Sequence, residues 1–338
     1  MNLRPGVRHV LIAQPIDPVA TPRLESIGFD VRTAPSSDPR VILGEVGWAD
    51  ALIVRNFRVD AHMLSVARQL KVIAVHGVGT DSIDLEAATK YGIVVFNTPD
   101  SNYQSVAEHT MALVLALAKR LVVAREGLLA GDYAVRYRAE PFDLDGKTIG
   151  LVGFGRVGRA VGQLASAFGM RVIVFDPSLT GPDVLPPGYH RAAELDELLA
   201  GADVVSLHVP LTPETRGMIN ARSLSLMKRS AMLINTARGA LVDERALEAA
   251  LRLEQIAGAG LDVFTVEPVP ANHPLLRLDQ VVATPHVAGA SGGALRRAAI
   301  AIVEGIQRAS EGDKPRNLVN PTAWLVALAR IRGLPVGS

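Results

Sequence analysis

Short apolar runs, many rich in β-branched residues, recur along this chain between stretches with helical spacing. In the second half they fall at 148–152, 171–175, 202–209, 231–235, 257–261 and 280–283. Continuous runs of this kind, without polar/apolar alternation, predict parallel strands covered on both faces. The first half repeats the rhythm at 9–13, 51–54, 72–75 and 93–96, with a weaker strand at 29–32. Two such arrays in 338 residues exceed a usual single core. They predict two α/β domains, each a doubly wound parallel sheet, with a crevice between them. A long helix beginning near Asn102, with Ser101 or Asn102 as its N-cap, is read as the connector between them. A helical pattern at 294–308, followed by Gly312 and Pro315, returns to the first domain. The expected division is therefore 1–100 with 290–338 as one discontinuous domain, and 101–289 as the other. From Thr322 onward the tail carries no clear pattern.

Composition narrows the function classes. Lys plus Arg total 35 against 34 acidic residues, so no strong field recruits nucleic acid or an acidic membrane. The most apolar long segment, 106–124, contains Glu108, His109, Lys119 and Arg120, and its uninterrupted stretch 111–118 is too short to span a bilayer. With no cysteine, disulfides, thiolate metal sites and a cysteine nucleophile are excluded. The start has no signal-peptide pattern, and a cytoplasmic location is expected. His9, His62, His190, His208 and His273 show no paired ligand spacing, and no metal site is predicted.

Ligands of doubly wound sheets bind beyond the carboxyl ends of the strands. Arg238 follows the fourth run of the second array, Glu267 the fifth and His286 the sixth, so all three are expected to face one crevice. A guanidinium, a carboxylate and an imidazole gathered there are what carbonyl reduction needs. Taken singly, each has a plainer reading as a surface ion-pair partner, a solvated loop residue or a cap. Earlier in the array, Gly153-x-Gly155-x-x-Gly158 follows a strand and opens a helix. Its glycines let the backbone turn tightly against a pyrophosphate, which the free amides of the helix start would meet. The next strand ends in Asp176, 18 residues beyond Gly158, where a carboxylate accepts from an adenosine ribose and repels a 2′-phosphate. Pro177 and Ser178 offer no compensating cation, so NAD is expected rather than NADP.

Four segments together resemble the NAD-dependent D-2-hydroxyacid dehydrogenases, and most closely their D-3-phosphoglycerate dehydrogenase group. They are Gly153-Phe154-Gly155-Arg156-Val157-Gly158, Asn235-Thr236-Ala237-Arg238-Gly239, Gly260-Leu261-Asp262-Val263-Phe264 through Glu267-Pro268, and Thr284-Pro285-His286-Val287-Ala288-Gly289. The resemblance covers roughly residues 8 to 320. It implies a Rossmann NAD-binding domain (101–289) inserted in a flavodoxin-like substrate-binding domain (1–100 and 290–338). It makes His286 the proton donor and acceptor, and Glu267 the carboxylate that holds the imidazole and favours its protonated form. Arg238 would grip the substrate carboxylate and polarise the carbonyl. Asp262 would take the nicotinamide carboxamide, and Val209, Thr236, Ala237, Ala288 and Gly289 would line the cofactor beside Arg156 and Val157. In the first domain, Val78 and Gly79 would offer main-chain amides to the substrate carboxylate. Apart from the resemblance, Arg55, Arg58 and His76 are the first-domain cations that the loops bring near the expected crevice, so at least one of them is expected to bind a phosphate if the substrate carries one, and Arg55 is either a further anchor or a solvent-facing loop arginine.

The substrate implied first is 3-phosphoglycerate, with hydroxypyruvate or glyoxylate as alternatives. A dinucleotide-sensing protein like the corepressors of this fold is the competing class. Relatives carry asparagine in place of Ser82 and an acidic helix former in place of Gly292-Gly293, which leaves substrate identity open. Serine feedback through a regulatory extension is not expected from this length. A homodimer is implied, with Leu113, Leu117, Leu121 and Leu128 and the Gly131-Asp132-Tyr133 segment supplying its apolar contact.

Overall fold

The computed structural model describes residues 6–181 and 185–335. Residues 1–5 and 336–338, placed by expectation in the first domain, lie outside them. The chain forms two compact units. One runs to Asn102 and resumes at Gly289, and the other is Tyr103–Ala288.

The first unit holds strands β1 (His9–Ile12), β2 (Asp30–Thr33), β3 (Ala51–Val54), β4 (Val72–Val75) and β5 (Val94–Phe96), all parallel in the order β2-β1-β3-β4-β5. That order is flavodoxin-like. β3 and β4 are buried at every position, which is why their sequences are unbroken apolar runs. β2 lies at the edge and is mostly exposed, which explains its weak signal. The helix Gly292–Glu311 buries Ala299, Ile302, Val303 and Ile306 in the cluster that contains Val10, Ile12 and Val72. Gly305 permits its close approach, since a Cβ there would stand 2.3 Å from the Phe96 ring. The tail is not patternless. Trp324–Arg332 is a helix whose Trp324, Ala327 and Ile331 recur at helical spacing and enter the same core. At the amino ends of the strands, buried Lys71 donates to Asp50 at 2.7 Å, and the amides of Arg8 and His9 and the His9 ring nitrogen Nδ1 also bond that carboxylate.

The second unit holds β6 (Thr148–Val152), β7 (Arg171–Phe175), β8 (His190–Arg191), β9 (Val204–Leu207), β10 (Met232–Asn235), β11 (Gly258–Leu261) and β12 (Val281–Ala283). They are parallel in the order β12-β11-β10-β9-β6-β7-β8. The order reverses between β6 and β9, as in a Rossmann sheet, so the glycine loop after β6 lies at the switch point. β8 was not expected, because two polar residues at a sheet edge leave no apolar run.

The expected long connector is two helices, Tyr103–Ala118 and Leu121–Leu129, separated at Arg120, whose φ of 52° is left-handed. The first packs on β11 so closely that a Cβ on Gly260 would lie 3.0 Å from that of Leu113. Leu113 and Leu117 are therefore buried in their own unit and cannot supply a subunit contact, which corrects that expectation. The second helix buries nothing, and Leu121 and Leu128 are 55% and 61% exposed.

Candidate active site

Buried Asn235, the last residue of β10, shapes the turn that follows. Its Oδ1 accepts from the Ala237 amide at 3.0 Å and its Nδ2 donates to the Arg238 carbonyl at 2.8 Å. Arg238 thereby sits in extended conformation at the start of the short helix Gly239–Leu241. Its guanidinium donates to the Ala237 carbonyl at 2.7 Å. Gly239 then meets the loop after β11 backbone to backbone, for a Cβ on it would lie 1.9 Å from the Phe264 carbonyl carbon. Only glycine allows that approach.

From the β11 side, the Phe264 amide donates to Glu267 Oε1 at 3.0 Å, and Glu267 Oε2 lies 2.8 Å from His286 Nδ1. His286, after β12, adopts a φ of 55° and donates its amide to the Asp262 carbonyl at 2.8 Å. The imidazole and carboxylate remain 45% and 32% exposed, so the ring is anchored at Nδ1 while Nε2 is the nitrogen left for exchange with a ligand. Burial pushes the Glu267 carboxyl up. The hydrogen bonds from His286 and Phe264, with the charges of His286 and Arg238, outweigh it and hold Glu267 below the ordinary glutamate range. All three expected residues thus converge within one unit.

Asp262 is fully buried and organises the loop that carries His286. Its Oδ1 accepts from Thr284 Oγ1 at 2.6 Å and the Val287 amide at 2.9 Å, and its Oδ2 from the Ala288 amide at 2.9 Å. A carboxylate has about four acceptor directions, so one remains on Oδ2 for a further donor. Because the Thr284 hydroxyl donates to Asp262, it accepts in turn from His109 Nε2 at 2.9 Å. His109 therefore belongs to the hydrogen-bond chain behind His286.

The glycine loop fits a dinucleotide phosphate. Gly153 has a φ of 94°, and a Cβ on Gly158 would stand 2.2 Å from the Gly153 carbonyl oxygen, so both positions require glycine. Nothing lies within 4 Å of where a Gly155 Cβ would be. The helix Arg156–Ala167 begins there with no side-chain cap, and the positive end of its dipole suits an anion. Val157 and Val209 are half-buried, Arg156 is exposed, and Val209 packs against Gly153. Thr236 is buried and bonded to Thr110 Oγ1 at 3.0 Å, and Ala237 and Ala288 line their turns. Gly289 falls in the other unit, where it packs against Asn102.

Asp176 Oδ2 accepts from the Phe154 amide at 2.8 Å, and Oδ1 accepts from the amide and hydroxyl of Ser178 at 2.9 and 2.7 Å. Burial raises this carboxyl, but the bonds from Ser178 and Phe154 and the charge of Arg159 hold it below the usual range. Arg159 is a neighbouring cation that the residues after Asp176 do not reveal. Its guanidinium lies over the Phe154 ring at 4.5 Å. His208, beneath the glycine loop, is bonded to Ser206 Oγ at 2.9 Å and is pushed by burial to about 3, so it adds no charge.

In the first unit, Gln14 Oε1 accepts from the amides of Arg55, Asn56 and Phe57, which fixes the loop after β3. The loop after β4 is held by Thr98, whose hydroxyl accepts from the Gly77 amide at 3.1 Å, and by Asn97, which donates to the Val78 carbonyl at 2.7 Å. The Val78 and Gly79 amides donate to no group among the described residues. His76 departs from expectation. It is buried, its Nε2 bonds to the Leu295 carbonyl at 3.0 Å, and burial and the charge of Arg55 lower its affinity for a proton. A neutral ring tied to a carbonyl is unsuited to hold a phosphate by charge. Among the described residues, no group of three or more His, Asp and Glu is placed to hold a metal ion. No helix there is long and apolar enough to cross a membrane.

Residues 111–288 match the family model described as D-isomer specific 2-hydroxyacid dehydrogenase, NAD binding domain. The chain is 40% identical to a D-3-phosphoglycerate dehydrogenase of Methanocaldococcus jannaschii over 92% of its own length and 59% of that protein's. It is 42% identical to a glyoxylate reductase of Korarchaeum cryptofilum, over 83% of this chain and 86% of that one. It superposes on the TT0316 protein of Thermus thermophilus with a TM-score of 0.86 and 42% identity, covering 92% of this chain and 99% of that one. The chain spans about three-fifths of the length of the phosphoglycerate dehydrogenases it matches. Its uncapped glycine loop, and the family model that covers more than half of its residues, assign one ancestry: the chain belongs to the D-isomer specific 2-hydroxyacid dehydrogenases and carries their NAD-binding domain.

Proposed function

We propose that the chain interconverts a small D-2-hydroxy acid and its 2-keto acid, with Arg238, Glu267 and His286 as its catalytic residues. The observation that carries this reading is the 2.8 Å bond from Glu267 to His286 Nδ1. It occupies one ring nitrogen and turns the other outward, as a proton-transfer group requires. Bound NAD supplies the hydride acceptor for the alcohol and, when reduced, the donor for the keto acid. In reduction, His286 gives the proton at Nε2 to the carbonyl oxygen, and in oxidation it takes that proton back. Glu267 stays ionised throughout and fixes the ring. Arg238 holds the carboxylate of the substrate, a task that needs permanent charge and forked donors.

Gly153, Gly155, Arg156, Val157 and Gly158 would receive the pyrophosphate, and Asp176 the adenosine ribose. The ionised Asp176 favours NAD over NADP, because a 2′-phosphate would face a carboxylate. Asp262, through its remaining acceptor direction, would take the carboxamide. Val209, Thr236, Ala237, Ala288 and Gly289 would complete the lining. In the first unit, the unpartnered Val78 and Gly79 amides suit a carboxylate.

3-Phosphoglycerate is the first substrate candidate, supported by 40% identity to phosphoglycerate dehydrogenases over 92% of the chain. Glyoxylate or hydroxypyruvate is the alternative, supported by the similarity to glyoxylate reductases. With His76 tied to Leu295, Arg55 and Arg58 are the cations we assign to a phosphate. A homodimer through the exposed helix Leu121–Leu129 and the Tyr133–Tyr137 turn is part of this reading, since Leu121, Leu128, Leu129, Tyr133 and Tyr137 are all exposed.

His286→Ala should lower kcat on the order of 100- to 10,000-fold while NADH affinity, followed by fluorescence, stays near wild type. Near wild-type turnover would remove His286 from the chemistry. Replacing Arg55 or Arg58 by alanine should raise KM for 3-phosphoglycerate about ten- to hundredfold, from a loss of roughly 1.5 to 3 kcal/mol, and leave D-glycerate much less affected. Parallel losses for both acids would reject phosphate recognition, and a wild-type preference for the unphosphorylated acid would move the assignment to a glyoxylate or hydroxypyruvate reductase. Light scattering should give twice the 35.9 kDa chain mass at micromolar concentration, and a monomer would contradict the dimer.

A further inference from the structure

Glu267 accepts from a main-chain amide in a turn that two residues outside the catalytic trio also contact. Glu244 opens the helix Glu244–Arg252, on the far side of the loop after β11. Its Oε1 accepts from the Thr265 amide at 2.6 Å, and its Oε2 lies 3.2 Å from His273 Nε2. The His273 ring in turn meets the buried Phe264 ring edge to face, with centroids 5.5 Å apart. The neighbouring Phe264 amide is the one that donates to Glu267 Oε1. Two consecutive amides of one turn are thus claimed by two carboxylates, Glu244 from the helix side and Glu267 from the site side. Gly239 closes the third side by backbone contact.

The His273 ring carries a further mark of a specific role. Its Nδ1 is buried and has no partner among the described residues. A plain packing site would be filled at lower cost by a ring without that nitrogen. The imidazole supplies two properties at once, an N–H for Glu244 and a flat face edge for Phe264. A proton on Nε2 satisfies Glu244, and a bare Nδ1 acceptor costs less than a stranded N–H.

We infer that Glu244 and His273 are positioning residues for Glu267: they fix the 264–265 turn so that the Phe264 amide points at Glu267 and Glu267 points at His286. The inference rests on the reading of Glu267 as the carboxylate that orients the proton-transfer histidine. Glu244 and His273 bond to each other and meet the turn at the Thr265 amide and the Phe264 ring, and neither bonds to Glu267, His286 or Arg238. His286 and Arg238 are the charged groups that act on Glu267 directly.

The consequence has a definite sign. The Phe264 bond is among the interactions that hold Glu267 below the ordinary glutamate range. When the turn relaxes, Glu267 must protonate at higher pH. Glu244→Ala should therefore raise the midpoint of the Glu267 carboxyl titration, followed by carbon NMR in the full chain. Glu244→Gln keeps one oxygen for the Thr265 amide and should stay near wild type, and His273→Phe, which keeps the ring contact alone, should fall between. In turnover with NADH and a 2-keto acid, Glu244→Ala should lower kcat about ten- to hundredfold with KM changed less than about twofold, and should move the acidic limb of the pH profile upward. An unmoved Glu267 midpoint in folded Glu244→Ala would overturn the inference, as would a loss of thermal stability with kcat and the acidic limb unchanged. The titration reads the inference without turnover. An inactive wild type, together with a raised Glu267 midpoint in Glu244→Ala, would sink the dehydrogenase reading and leave the positioning role standing.

Discussion

The contact on which the rest of the site depends is the hydrogen bond between Glu267 and His286. An imidazole on a loop rotates freely unless one nitrogen is held, and proton transfer from a rotating ring is slow because the reacting geometry is rarely sampled. The carboxylate can hold it only while ionised, and half-burial works against ionisation. The loop after β11 resolves this by aiming a main-chain amide at Glu267, with Arg238 close enough to add favourable charge. The Rossmann sheet supplies the remaining condition, since β10, β11 and β12 are parallel neighbours and their carboxyl ends deliver three loops to one edge.

Close backbone approach is the second theme. Gly239 joins the Arg238 turn to the Phe264 turn, Gly158 seats the phosphate helix on Gly153, and Gly260 admits the helix Tyr103–Ala118. Each removes a side chain so that a functional residue elsewhere is placed by main chain, the least mobile part of the molecule. Asn235 acts in the same way, spending its polar atoms on a turn, and Asp262 commits three hydrogen bonds to the loop that carries His286.

The strands were legible because interior parallel strands are covered on both faces and so mostly apolar, and β3, β4, β6, β9, β10 and β11 are buried at every position. β8 was not, since two polar edge residues leave no trace. The break at Arg120 escaped because its left-handed backbone needs neither glycine nor proline. The tail helix was legible in principle from Trp324, Ala327 and Ile331, but a short helix before a Gly-Pro end reads like a linker. Arg238, Glu267 and His286 stood out because strand ends advertise them. Asn235 and Glu244 did not, because their work is done on backbone groups, which every residue type carries, and His273 did not, because what its ring meets is Glu244 and the Phe264 ring. His76 was read as one of three cations that could meet a phosphate, for its position in a loop says nothing of the Leu295 carbonyl that lies 219 residues away in sequence. Arg159 was missed because it reaches Asp176 from the preceding helix.

If Glu267 acts through His286, the two must behave as one unit. The most direct test is a double-mutant cycle on kcat for 2-keto acid reduction, with Glu267→Gln, His286→Ala and the pair combined. The account predicts that the double variant loses no more activity than His286→Ala alone, since an orienting carboxylate has no function once its ring is gone. Losses that multiply across the two positions would mean that Glu267 and His286 act independently, and would contradict it.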